Sequence, residues 1–237
     1  MSALKLIKTG KNCKLYQQIN ANGSEGPKLI LLERVRLSFP AIGHMKEDEN
    51  EDGSTKKAYK AVPMLLKDTH VEAKDMFVQV MNELMTANKV KIPPEYRCIK
   101  NGDDSEREEY QNHWTISCSE TRRPPARDET GRLYLDPAKV KDGDQVEAIL
   151  NNIDEIFHGG VIATVLVRPW YFDGKVKGKT KTYPKRICCG LTGIQFVEDD
   201  GTSYGQGRID DSAVWGSADG DDLNGGSTDL DDDPDGL

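Results

Sequence analysis

The sequence predicts a mainly β fold: a small barrel or sandwich with one packed amphipathic helix, long polar loops and an acidic tail. Three observations carry that expectation. Segments such as Lys28–Phe39 and Val161–Phe172 alternate apolar and polar residues at the period of two that a half-buried strand requires. A single segment, Val71 to Asn88, repeats its apolar residues at helical spacing. The last twenty-nine residues, Ile209 to Leu237, hold ten aspartates and no lysine, arginine or glutamate.

The charge split bounds function. The chain has 32 basic and 40 acidic residues, so without the tail's ten aspartates the body stands at +2. A neutral-to-basic body tethered to a polyanion suggests a protein that binds another polyanion and regulates that binding itself. With 36% apolar and 30% charged residues, one core with long polar loops fits better than two compact domains. The expected organisation is a flexible lead-in over residues 1–27, one domain over 28–208 and a disordered acidic tail over 209–237. No apolar run is long enough to span a bilayer or act as a secretory leader. Five cysteines (Cys13, Cys98, Cys118, Cys188 and Cys189) without CxxC spacing point to a reduced, cytoplasmic protein.

The elements follow in order. Lys28–Phe39 is a strand whose Val35, Leu37 and Phe39 face one side, while Arg34, Arg36 and Ser38 face the other. Residues 43–57 are a polar, mostly acidic loop. Ala58–Leu66 is a strand in which Pro63 indicates an edge or a bulge. Thr69 and Glu72 have capping-box spacing and open the helix, whose stripe of Val71, Met76, Phe77, Val80, Met81, Leu84 and Met85 belongs to the core. A charged connection over 91–112 leads to a short strand, His113–Ser119. The loop that follows carries Arg122, Arg123 and Arg127. Arg132–Leu135 is a brief strand, and a turn at Lys141–Asp144 starts another strand to Leu150. Gly159-Gly160 launches the clearest strand, Val161–Phe172; a basic hairpin and a last strand pair to Val197 complete the body.

One constellation carries chemistry. Arg168, Lys175, Lys177, Lys179, Lys181, Lys185 and Arg186 are interleaved with Trp170, Tyr171, Phe172 and Tyr183. Basic side chains supply phosphate contacts and counterion release. Aromatic faces stack unpaired bases, which suits a single strand better than a duplex whose bases already stack on each other. By alternation Arg168, Trp170 and Phe172 share one face and Tyr171 the other. Arg34 and Arg36 form a second basic pair. Other chemistry is thin. His113, Cys98 and Cys118 lack repeated ligand spacing for zinc, Cys188 and Cys189 are small packing residues on opposite faces, and no motif of an enzyme or a cofactor site occurs.

Several blocks together carry a resemblance. They are Val35-Arg-Leu-Ser-Phe-Pro40 before the helix, His158-Gly-Gly-Val-Ile-Ala-Thr-Val-Leu-Val-Arg-Pro-Trp170, and Gly190-Leu-Thr-Gly-Ile-Gln-Phe-Val197 followed by Glu-Asp-Asp-Gly201. Over roughly residues 28 to 205, plus the tail, the chain resembles the bacteriophage single-stranded DNA-binding proteins with an OB-fold and an acidic C-terminal tail. The resemblance implies a five-stranded Greek-key barrel whose open face takes oligonucleotides. It implies a protein that coats single-stranded DNA during replication and recombination. It further implies a tail that occupies the groove and, when displaced, recruits a phage or host DNA polymerase, helicase or recombination protein. That role would fall on Asp219, Asp221, Asp222, Asp229, Asp231, Asp232, Asp233, Asp235 and Leu237. Such tails often end in an aromatic residue, whereas this one ends in leucine. The alternative from a different class is a protein-interaction or virion-assembly module that docks a basic partner on the tail. RNA differs from DNA only through contacts to the 2′-hydroxyl, on which the sequence is silent.

Overall fold

In a computed structural model, residues 2–49, 55–136, 139–176 and 182–204 are described. The spine is one long strand. After β1 (Ala3–Gly10) and β2 (Cys13–Ile19) comes β3, Glu25–Glu49, which pairs antiparallel with β2, with β4 (Thr55–Leu66) and with β9 (Ile162–Phe172). One strand serves three neighbours because it is bent. Arg34 and Phe39 take left-handed backbone angles (φ 54° and 46°), and the ladder shifts register between Leu32 and Val35 and between Ser38 and Ala41. The first bulge keeps Leu32 and Val35 both inward, three residues apart. It also modifies the expected alternation. Val35 and Leu37 are buried as expected, but Phe39 is turned out and 37% exposed, and Ser38 is fully buried.

The remaining elements are α1 (Val71–Ala87), β5 (Ile99–Asn101), β6 (His113–Ile116), β7 (Cys118–Glu120), β8 (Ala126–Arg127), α2 (Gly143–Ile156) and β10 (Arg186–Glu198). The sheet runs β5-β6-β4-β3-β9-β10-β8. A single parallel bridge between Arg97 and Ile187, with the Cys98 N–H donating to the Ile187 carbonyl at 3.0 Å, links the β5 side back to β10. The sheet therefore curls on itself as an open barrel-like wall rather than a ring of unbroken ladders. The mainly β expectation holds. Ala163, Val165 and Val167 of β9 meet Leu32, Leu37, Leu65 and the α1 residues Met76, Phe77, Val80 and Met81 in one core.

Five local expectations are corrected. Residues 1–27 are not a flexible lead-in, since β1 and β2 form a hairpin whose Cys13 and Leu15 are buried against β3. The 43–57 segment is not an acidic loop along its described length. Its first part continues β3 to Glu49 and pairs with β4, where Glu47 lies opposite Lys57 in an ion pair of 3.3 Å; opposite charges across a ladder support pairing. The capping box does not form. His70 takes the N-cap position without a side-chain bond, and Glu72 instead accepts the Lys11 backbone N–H at 3.0 Å. The expected strand to Leu150 is α2, capped by Asp142 accepting from the Gln145 N–H and burying Leu150 and Ile153. The Arg132–Leu135 strand reduces to one bridge, Arg127 to Leu133.

Pro63 sits opposite Leu37, between the stretch of β4 that pairs with β7 (Tyr59–Ala61) and the stretch that pairs with β6 (Met64–Leu66). A residue without an N–H fits where the outer partner changes. Among the described residues no helix is long and apolar enough to cross a membrane.

Candidate nucleic-acid interface

The β9–β10 ladder builds the first part of the interface. Inward valines alternate with outward residues along β9, and the outward set ends in Arg168, Trp170 and Phe172, directly opposite Gly190, Cys188 and Arg186 of β10. Trp170 is 40% exposed and meets Phe172 edge to face, with centroids 6.2 Å apart and planes at 84°. The Arg186 guanidinium lies 5.2 Å from the Phe172 centroid. Tyr171 points the other way and packs against the core. Two edge-on rings bordered by guanidinium groups are a surface for unpaired bases and phosphate together.

Beyond Phe172 the chain turns. Gly174 (φ 86°) accepts the Tyr183 N–H at 2.8 Å, and a Cβ there would lie 2.2 Å from the Tyr183 carbonyl. Lys175 and Lys185 are exposed beside this neck, and Tyr183 is half-buried. Lys177, Lys179 and Lys181 lie outside the described residues, as do Asp219, Asp221, Asp222, Asp229, Asp231, Asp232, Asp233, Asp235 and Leu237 of the tail.

The second part is a cleft of about 540 Å³ beside Arg168, walled by Arg122, Arg123, Pro124, Pro125 and Leu191. Glu120 borders it and sits 3.4 Å from the Arg168 guanidinium. Glu120 is the β7 residue opposite Tyr59, and the Arg123 guanidinium lies 5.6 Å from the Tyr59 ring centroid. Next to Tyr59, Lys60 faces Ala41 across the β3–β4 ladder, which leads to a third cluster. There the Phe39 ring is flanked by the Arg107 guanidinium at 4.4 Å and the Lys46 ammonium at 5.9 Å. Tyr110 joins through Arg107 (5.9 Å) and through Ser38, whose hydroxyl is 3.3 Å from the Tyr110 hydroxyl. Arg168, Glu120 and the largely buried Tyr59 are thus linked through β7 and β4, and the Phe39 cluster stands further along on β3.

Sequence reading missed Phe39, Arg107, Tyr110, Lys46 and the Arg123–Tyr59 pair. Their one local signal is an aromatic residue before Pro40, and only tertiary packing assembles them. Phe39 also holds a left-handed φ, which a bulky residue keeps only where its surroundings impose it.

Arg34 and Arg36 are not brought to this surface. Arg36 pairs with Ile162, six residues before Arg168 on β9, or roughly 20 Å along the strand. Both arginines are engaged within the chain. Arg34 donates to Glu198 at 2.7 Å; Arg36 grips Asp200 with two bonds, at 2.9 and 2.6 Å, and also donates to the Gly160 carbonyl at 2.7 Å. The Arg36 hydrogen bond, supported by Thr202, holds the Asp200 carboxyl far below the usual carboxylate range. Beside them His158 bonds Asp199 at 2.9 Å. Burial alone would lower its imidazole, but the bonds to Asp199 and to the Gly159 carbonyl outweigh that and leave it raised. The segment continues to Tyr204, whose N–H donates to the Gly159 carbonyl at 2.9 Å. A Cβ at Gly160 would meet the Thr202 carbonyl at 1.9 Å. The two glycines are therefore needed for a strap to lie over the start of β9.

The cysteines form no metal site. Among the described residues no group of His, Cys, Asp or Glu has metal-binding geometry. Cys98 is held protonated by its bond with Cys189 and by burial; Cys189 is held so by burial and by Cys118.

Comparison with known proteins agrees with this architecture. No curated protein sequence matches the chain. The single-stranded DNA-binding protein of bacteriophage Enc34 has a similar structure, with 25% identity, a TM-score of 0.65, and coverage of 90% of this chain and 98% of that one. The same phage protein in complex with single-stranded DNA matches at 26% identity and a TM-score of 0.65, covering 85% of this chain and 98% of that one. The sequence model of the family described as Enterobacter phage Enc34, ssDNA-binding protein, matches residues 28–224. With most of its length so matched, the chain belongs to the Enc34 phage single-stranded DNA-binding protein family.

Proposed function

We propose that the chain coats and protects single-stranded DNA with little sequence preference, in the host cytoplasm, during phage replication and recombination. The observation that carries the reading is the shared outward face of Arg168, Trp170, Phe172 and Arg186, where the exposed Trp170 ring and the half-buried Phe172 ring stand beside guanidinium groups. The arrangement offers contacts to base planes and phosphates, and the cleft beside Arg168 adds a side-chain carboxylate, Glu120. Lys175, Tyr183 and Lys185 extend the face, and Lys177, Lys179 and Lys181 add sequence-local positive charge. Family membership and the Enc34 complex with single-stranded DNA support the same reading. The Phe39 cluster, further along on β3, lengthens the track.

The acidic tail then acts as a tethered competitor for the basic face and, once displaced, as a handle for a DNA polymerase, helicase or recombination protein. Its support is charge: ten aspartates set against a body at +2.

A fluorescence titration of labelled oligo-dT tests the binding. Affinity should fall with salt at a log–log slope of about −0.7 per phosphate neutralised. Tight binding to a duplex with none to the single strand would overturn the proposal.

A further inference from the structure

We propose that the cleft between Glu120 and Arg168 is a base-discriminating subsite that favours guanine over thymine, an inference that rests on the single-stranded DNA reading and refines it. A carboxylate in a basic cleft repels phosphate, so it opposes uniform backbone binding. What it offers a nucleic acid is acceptor capacity. The Glu120 side chain is 24% exposed; one oxygen accepts the Thr121 N–H at 3.0 Å and the other stands 3.4 Å from the Arg168 guanidinium. A carboxylate has about four acceptor positions, so roughly half remain for a ligand.

The base edges differ in what they can give. Guanine alone carries two adjacent donors on its pairing edge, N1–H and the N2 amine. Thymine carries one N–H between two carbonyl oxygens, which a carboxylate repels. Adenine offers a single donor amine. The rest of the cleft suits a nucleotide. Exposed Pro125, backed by the buried Pro124 and Leu191, gives an apolar edge for the base plane, and Arg122 and Arg123 join Arg168 as phosphate partners. Gly190, opposite Arg168 on β10, leaves room for the Glu120–Arg168 pair. A Cβ there would lie 3.2 Å from Glu120 Oε2 and 3.5 Å from an Arg168 guanidinium nitrogen, crowding the pair. Glu120 itself is carried on β7, fixed opposite Tyr59, and an edge-reading group needs such a rigid mount.

The test titrates the full chain with a labelled dT oligonucleotide and with the same strand carrying isolated dG or isolated dA, spaced to prevent quadruplexes. The dG strand should bind at least about five-fold more tightly than dT, the lower end for a paired edge contact, and dA should gain less. Glu120→Gln, isosteric and uncharged, should abolish the dG preference, read as the ratio of dG to dT affinity within the variant and compared with that ratio in the parent. Gly190→Ala should weaken the same preference. A mere structural partner of Arg168 would shift all strands together. Equal affinity for dG and dT, an equal gain with dA, or a preference that survives Glu120→Gln overturns the subsite while leaving single-strand binding intact. A chain that binds none of the strands overturns both readings.

Discussion

Arg186 lies directly across the β9–β10 ladder from Phe172 and holds its guanidinium 5.2 Å from the centre of that ring. The contact sets a positive charge beside an aromatic ring, on the two strands that also carry Trp170 and Arg168; in the proposed function the charge would meet phosphate and the ring a base. It makes the aromatic and electrostatic contributions separable by mutation.

Trp170→Ala and Phe172→Ala should each weaken oligo-dT binding by about 1–3 kcal/mol, the range for loss of one base–aromatic stack. The slope against salt should stay nearly constant in both. Arg186→Ala should instead flatten that slope by about 0.7, the contribution of one phosphate contact. Titrations at several salt concentrations check all three, and a Trp170→Ala protein with parental affinity would remove that ring from the interface.

Phe39 and Arg107 predict how far the track extends. Their cluster stands on β3, away from the Arg168 cleft and across the β3–β4 ladder from the strand that carries Tyr59. If DNA reaches that cluster, Phe39→Ala should lower affinity for a long oligonucleotide and leave a short one unaffected. Equal losses for both lengths would place Phe39 under the primary contact instead.

Deleting Ile209–Leu237 should raise affinity for oligo-dT at low salt. A tethered polyanion competes at high effective concentration, and the gain should shrink as salt screens it. Unchanged affinity at low salt would remove the tail from the binding equilibrium.

His44 predicts a pH dependence. Asp154 accepts the backbone N–H groups of Ile42, Gly43 and His44 at 3.0, 2.7 and 3.0 Å. Asp154 and Glu147 also hold the two nitrogens of the His44 imidazole at 2.7 and 3.0 Å. The Asp154 bond is the main reason the imidazole is raised above its ordinary 6.5. A group raised in the folded state adds stability that is fully present below its unfolded pKa and lost as pH rises through the folded one. Thermal melts of the parent and His44→Gln should therefore differ most below about pH 6.5 and converge above the raised value. A constant gap across that range would exclude the titration as its source.

Phe77 sets the scale for the core. It is fully buried under the sheet, so Phe77→Ala should cost about 3–5 kcal/mol in chemical denaturation. A loss below about 1 kcal/mol, little more than one buried methylene, would mean the site collapses around the missing ring.

The sequence by itself determined what depends on neighbouring residues. Period-two alternation placed Ala163, Val165 and Val167 inward and Arg168, Trp170 and Phe172 outward, because a strand's side chains must alternate whatever packs on it. Apolar spacing identified α1, and composition separated the aspartate-rich end from the body. Where the local pattern was diluted, it misled. The acidic run within 43–57 reads as a loop although its first part extends β3 to pair with β4, and the segment leading to Leu150 reads as a strand although Asp142 marks the start of a helix.

Tertiary structure alone decided which charges are engaged by distant carboxylates and which lie beside aromatic rings. Arg36 and Arg186 look alike in sequence, yet Arg36 is clamped by Asp200, a partner 164 residues away, while Arg186 rests on an exposed aromatic pair. The same holds for Phe39 with Arg107 and for Glu120 with Arg168. These are contacts between distant segments, made when a bent strand and a curled sheet bring their surfaces together, and no local periodicity encodes them.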